Sequence, residues 1–430
     1  MSFVRCLLFL FLCLSACVTS GGHSLEARPL LATEGEPPDT PVSRAVEALA
    51  RKDFDLAQKH LSQALAEAPT DARALFAQAC LLLEKGSLAE AAVMGKRLRE
   101  VAPTTLEGPI LEALIARRGT HPTESWRDAF VGAWASAGRP MFEDPGLFGG
   151  MALWDKLVAP LEGAWARTDR AEVRWMLALA GASLDDESRR WLSAHLEDVQ
   201  DPRLLLPALE YFPRDTQPAE HREALRTRLR RFAEVEPTEM QRALVLLMEP
   251  RQQPEAPLTE EELRELERIA ALPDYRPTST ASSYAEAERL LRSAGVTEPA
   301  AGAFAAMVTG LGLQGPFLLL QVTKASGKTL SPDHRMRLGR ALWSLGERIA
   351  AESTLVERMV GRNLRREGAT LLADSERLAR ATTDLEEARA VASASGQLQL
   401  DAWPLPSLRE AMLAASVEDE WTHLRDFVTP

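Results

Sequence analysis

Small, apolar and proline residues recur in this chain at matching positions 34 residues apart. The matching pairs are Ala45 and Ala79, Phe54 and Leu88, Ala57 and Ala91, Leu61 and Gly95, Ala64 and Leu98, and Pro69 and Pro103. Small residues let two helices pack closely, and a proline ends a helix because it lacks the amide proton. A fixed period of this length is typical of stacked helical hairpins, so the pattern predicts an all-α solenoid.

The two copies resemble tetratricopeptide repeats (TPRs), in which small, apolar and terminal proline residues occupy these positions. Asp53 and Gly86 fall at the turn inside each predicted hairpin. A helix over residues 106–118 either caps the pair or opens a third, degenerate repeat. The resemblance implies TPR-like repeats over residues 41–118 that serve as a surface for protein–protein interaction.

The N-terminal residues predict a signal peptide. Arg5 gives a short positive region, and residues 7–14 are apolar but too few to cross a membrane. Residues 14–17, Leu-Ser-Ala-Cys, resemble the lipobox of bacterial lipoproteins. The resemblance implies that residues 1–16 are removed and that Cys17 carries acyl chains that enter the lipid bilayer. An ordinary secretory signal with an incidental cysteine is the alternative.

The residues after Cys17 indicate a membrane location and a flexible tether. Many inner-membrane lipoproteins have Asp after the lipidated cysteine, whereas this chain has Val18. In this respect the chain resembles an outer-membrane lipoprotein that faces the periplasm. Residues 17–40 are rich in Gly and Pro and poor in large apolar side chains, so we expect a flexible tether. Its root-mean-square span is roughly 25–30 Å.

The net charge and the cysteine content argue against nucleic-acid binding, an intrachain disulfide and a cysteine-based metal site. A formal net charge of −12 disfavours binding to nucleic acid. Of the four cysteines, Cys6 and Cys13 would be removed with the signal peptide and Cys17 would be acylated. Cys80 is then the one cysteine with a free thiol in the mature chain. The mature chain therefore has no intrachain disulfide and no cysteine-based metal site. Because Cys80 lies in an apolar helix, we expect a buried, inert thiol.

The rest of the chain also has helical periodicity. Predicted helices cover residues 171–180, 185–196, 202–212, 220–234, 238–248 and 371–392. Thr259 and Glu262 form a capping box before an apolar stripe at Leu263, Leu266 and Ile269. These patterns predict helical hairpins over residues 119–272, a linker at 273–282 and a C-terminal helical bundle over 283–430.

Motifs that would indicate catalysis lack their structural context. Residues 310–315 match GxGxxG but follow a predicted helix instead of a strand. Residues 326–329 resemble the end of a P-loop, yet Val322 stands where its first glycine belongs. The seven histidines occur singly, without metal-ligand spacing. We therefore expect no enzyme activity, cofactor or metal; an envelope enzyme whose site assembles from distant residues is an alternative.

Six of the nine tryptophans fall between residues 126 and 191. Trp126 and Trp134 are the candidates for ligand or partner contact, because Gly132, Gly138 and Pro140 suggest a less regular and more exposed stretch. The favoured interpretation is a noncatalytic adaptor or assembly factor that binds other envelope proteins. A module that binds peptidoglycan or another glycan through the tryptophans is the alternative.

Overall fold

The computed structural model describes residues 40–140, 158–182, 185–211, 219–251, 256–276, 278–297, 301–302, 305–306, 313–326, 330–397 and 403–428. All regular secondary structure in these residues is helical, which confirms the all-α prediction. The predicted signal peptide, Cys17 and nearly all of the predicted tether lie outside the described residues.

The chain divides into two compact units. The first unit contains the described residues within 2–153, 393–416 and 423–430, and the second contains those within 154–392 and 417–422. This grouping differs from the predicted one, in which residues 283–430 formed a domain of their own. The predicted linker at 273–282 lies inside the second unit, where Tyr275 is only 1% exposed.

The described part of the first unit contains six helices in sequence and most of one from the end of the chain. They are α1 (Pro41–Ala50), α2 (Phe54–Glu67), α3 (Ala72–Glu84), α4 (Leu88–Val101), α5 (Glu107–Thr120), α6 (Trp126–Ser136) and, last in the chain, α19 (Pro406–Arg425) without residues 417–422, which belong to the second unit. From α1 to α6, each helix contacts the next. The helices α2 and α4 begin 34 residues apart (88 − 54) and end 34 residues apart (101 − 67).

The small residues of the repeat pattern lie where the helices of the first unit meet. Ala45, Ala57, Ala79 and Ala91 are fully buried. The turns carry the expected residues: the Asp53 carboxylate accepts a hydrogen bond from the amide of Leu56 at 3.1 Å, and Gly86 has a φ of +76°. Local sequence therefore determines where α2 begins and where the chain turns between α3 and α4.

The second unit contains α7 (Val158–Arg167), α8 (Ala171–Leu179), α9 (Asp186–Ala194), α10 (Pro202–Tyr211), α11 (Ala219–Val235), α12 (Met240–Met248), α13 (Glu260–Ala270), α14 (Thr280–Ser293), α15 (Gln314–Ser326), α16 (Pro332–Ile349), α17 (Leu355–Leu372) and most of α18 (Ser375–Gln397). The capping box of α13 is confirmed, since the Glu262 amide donates to Thr259 Oγ1 at 3.2 Å and the Thr259 amide donates back at 2.7 Å. The predicted helix over 371–392 is interrupted at Ala373, which has a φ of +54° and separates α17 from α18.

Two pairs of glycines bring α16 and α17 together. Gly339 lies against Gly368, and Gly346 lies against Gly361. A Cβ atom on Gly346 would stand 2.6 Å from the Gly361 carbonyl oxygen, which is closer than real Cβ contacts. The two backbones therefore touch at these positions, and each helix repeats its glycine after seven residues.

Candidate interaction surface

The helix α3 is buried on all sides. Ten consecutive residues, from Ala74 to Leu83, are each at most 7% exposed. By contrast, only Ala57, Leu61 and Ala64 are buried along α2. A helix with apolar residues all round needs a packing partner on every face. Neighbouring hairpins cover part of α3, and the end of the chain covers more of it.

We call residues 403–416 and 423–428, which belong to the first unit, the C-terminal segment. Its largest buried side chain is Trp403, which is 1% exposed. The Trp403 ring meets the rings of Phe76 on α3 and Phe130 on α6 edge to face, with centroids 5.1 and 5.0 Å away. Leu405, Leu408, Met412 and Phe427 join the same apolar core. The segment is thus seated through one large aromatic anchor with smaller apolar contacts around it.

Polar contacts fix the start of α19 on the first unit. The Glu84 carboxylate at the end of α3 accepts hydrogen bonds from the Ser407 amide at 2.8 Å and from the Ser407 hydroxyl at 2.6 Å. Because Ser407 lies in the first turn of α19, Glu84 satisfies one of the free amides there and complements the helix dipole. Burial raises the pKa of Glu84. Lys52 and Glu410 form a more exposed ion pair at 2.7 Å.

A second polar contact holds the last residues of the segment. Arg127 on α6 donates from Nε to Nδ1 of His423 at 3.0 Å and forms an ion pair with Asp426. His423 is 3% exposed, and burial together with the Arg127 charge lowers its pKa to about 4. At neutral pH the imidazole is therefore uncharged and acts as the acceptor for the arginine.

The three site residues predicted from the sequence are Cys17, Trp126 and Trp134, and they differ in burial and in whether the structure describes them. Cys17 lies outside the described residues. Trp134 is 1% exposed, donates from Nε1 to the Pro140 carbonyl at 2.9 Å and packs against Phe427. The predicted irregular, exposed stretch is instead helix α6, because Trp134 fills the core of the first unit. Trp126 is half-buried, with the Arg118 guanidinium 4.6 Å from its ring centre. A ligand contact at Trp126 stays a prediction.

The remaining tryptophans of the predicted cluster pack within the second unit where they are described. Trp175 is 3% exposed. The Arg174 guanidinium lies 4.1 Å from the Trp191 ring centre and 5.1 Å from that of Trp165. His195 stacks on Trp191 with centroids 3.8 Å apart. These rings therefore contact side chains of this chain itself.

Charged groups are buried in the second unit as well. Arg276 donates to Glu352 at 2.9 Å and to Glu357 at 3.1 Å, and Glu357 also accepts from the Thr354 hydroxyl at 2.5 Å. The Glu357 side chain is fully buried. Burial outweighs the attraction of Arg276 and raises the pKa of Glu357 to about 7.

The motifs that resemble catalytic or nucleotide-binding sequences lie partly outside the described residues. Residues 310–312 and 327–329 lie outside the described ranges, and Gly315 falls inside α15. Cys80 is fully buried, and burial raises the pKa of its thiol, as expected for an inert cysteine. No group of three or more histidine, cysteine or acidic residues within the described part of the chain could hold a metal ion.

No protein-family model matches this chain, and no match to it was found among curated proteins or solved structures. Among the helices of the described ranges, none is both long enough and apolar enough to cross a bilayer. The function is therefore inferred from the residues and contacts of this chain.

Proposed function

We propose that this protein is a noncatalytic adaptor of the bacterial envelope, tethered to the membrane through Cys17, that binds other envelope proteins on its first unit. The observation that carries the proposal is the seating of the C-terminal segment on α3 and α6. There the helices accommodate a peptide with a buried tryptophan and a capped helix start. A surface that recognises such a segment within the chain has the chemistry to recognise one from a partner.

The helical organisation supports the same proposal. The equal offset of α2 and α4 and the burial of small residues between their neighbours fit TPR-like repeats. Stacked hairpins of this kind give an extended surface on which several contacts act together. In this proposal the protein works by positioning its partners, as an assembly factor does, and carries out no reaction of its own.

The membrane tether is the second part of the proposal. Two or three acyl chains on Cys17 are enough for stable attachment, whereas one chain binds only marginally. The proposed location is the periplasmic face of the outer membrane. Confinement there raises the local concentration of the binding surface for other membrane-bound proteins.

Replacing Cys17 with serine tests the tether. We expect the wild-type protein in the membrane fraction and Cys17→Ser in the soluble fraction, because the variant lacks the thiol that is acylated. The folded body should be unchanged, with the same helical circular dichroism and the same melting temperature. Crosslinking in native cells should capture a defined envelope complex with the wild type only. A Cys17→Ser protein that stays in the membrane fraction and captures the same complex would contradict the proposal.

A further inference from the structure

We infer that the C-terminal segment is an internal ligand that closes the binding surface of the first unit, and that the partner is a protein segment with the same chemistry. That chemistry is an aromatic anchor, a short proline-containing stretch and then an amphipathic helix with a hydroxyl residue in its first turn. The inference rests on the proposed function and adds to it the class of partner and a form of regulation.

The anchor has the composition of a recognition motif. Residues 403–406 read Trp-Pro-Leu-Pro, and all four are buried. Prolines limit the conformations that a free segment can adopt, so less entropy is lost when it binds. A buried tryptophan between two phenylalanines is the type of contact that dominates binding energy at protein interfaces. The first four residues of the segment therefore carry both affinity and specificity.

The helix that follows supplies the directional contacts. Pro406 is the first residue of α19, and the next residue, Ser407, donates two hydrogen bonds to Glu84. A partner helix with serine or another small donor at this position would satisfy the same carboxylate. Lys52, which pairs with Glu410, favours an acidic residue about one turn further along.

Features of the contact make the segment suited to exchange. The Lys52–Glu410 pair is about half exposed on both sides, and such pairs add little to stability. The backbone of α19 leaves the helical conformation at Asp419, with φ of −155° and ψ of 91°. Residues 403–416 end before this interruption, so the Trp403 anchor and residues 423–428 lie on opposite sides of it.

The closed state limits access by a partner. An attached segment competes with any free segment at a high effective concentration, because both belong to one chain. A free peptide should therefore bind poorly to the wild-type protein and well to a variant whose own anchor is lost. A partner would have to exceed the internal segment in affinity or be held beside it at the membrane.

The test uses a fluorescently labelled peptide with the sequence of residues 403–416 and the purified full chain. Fluorescence anisotropy should show binding to Trp403→Ala that is at least about tenfold tighter than binding to the wild type. Met412→Asp, which disturbs the segment at a second point, should behave like Trp403→Ala. A peptide that carries alanine in place of its own tryptophan is the matched control and should not bind to either variant.

Two results would overturn the inference. One is equal binding of the peptide to the wild type and to both variants. The other is no binding to either variant when circular dichroism shows that at least one of them is folded. The proposed function can be judged separately, because Cys17→Ser is tested in cells by fractionation and capture and does not depend on the peptide.

Discussion

Replacing Gly361 with alanine is expected to lower the free energy of unfolding of the second unit by about 3 kcal/mol. The new Cβ atom would overlap the amide nitrogen of Ala350 and stand 2.7 Å from the Gly346 carbonyl oxygen. Both contacts are with backbone atoms, which cannot rotate away as a side chain can. The helices α16 and α17 would have to separate, and the apolar contacts along them would be lost. The melting temperature of the second unit should fall by about 6–12 °C.

Gly163→Ala is the matched control for this prediction. Gly163 also lies within a helix of the second unit, but its added Cβ atom would meet only the mobile end of the Arg167 side chain, at 3.2 Å. Alanine is the better helix former by about 1 kcal/mol, so this variant should be neutral or slightly more stable. Calorimetry of both variants measures the difference. Equal melting temperatures for the two would show that α16 and α17 do not touch at Gly361.

Replacing Arg276 with methionine is expected to destabilise the second unit by about 3–5 kcal/mol at pH 8. Methionine keeps much of the side-chain volume, but it leaves Glu357 buried without its cation. The loss should be smaller at pH 5, where Glu357 is protonated and carries no charge for Arg276 to stabilise. Urea unfolding at the two pH values measures both losses. Arg264→Met, which removes an exposed arginine, should cost less than about 1 kcal/mol at either pH.

The sign of the pH effect follows from the pKa of Glu357. Burial raises this pKa from 4.5 to about 7, so the folded protein keeps the proton in a range where the unfolded chain has lost it. The contribution of Glu357 to stability therefore decreases as the pH rises from about 4.5 to about 7 and is constant outside that range. An Arg276→Met protein that is equally destabilised at pH 5 and pH 8 would contradict the assigned role of this ion pair.

Local features of the fold could be predicted from the sequence because they depend on nearby residues. The 34-residue offset of α2 and α4, the caps at Asp53 and Thr259, and the apolar stripe of α13 all follow from short-range patterns. The break at Ala373 could not be predicted in this way. Alanine favours a helix, so its own propensity does not indicate the left-handed conformation that it adopts at the end of α17.

Long-range features carried weaker signals. The stretch from Ala74 to Leu83 places apolar residues on every face of α3, which indicates that a further part of the chain packs on this helix. The pattern does not show which part of the chain that is. Trp403 lies far along the chain from Phe76 and Phe130, so no short-range pattern indicates that it packs against them. The seven-residue spacings of glycine in α16 and α17 are also visible in the sequence. These spacings indicate a close backbone contact only once α16 and α17 are known to pack against each other.

If partners bind on the surface that the C-terminal segment covers, a photocrosslinking amino acid at position 52, beside Glu410, should capture them. Position 93 on α4 is an exposed control site. In native cells we expect one protein adduct of defined mass from position 52, increased by Trp403→Ala and lost in Cys17→Ser. Position 93 should not give that adduct. Partner binding at this surface would be contradicted if Trp403→Ala produced no adduct from position 52, or if both positions gave the same adducts.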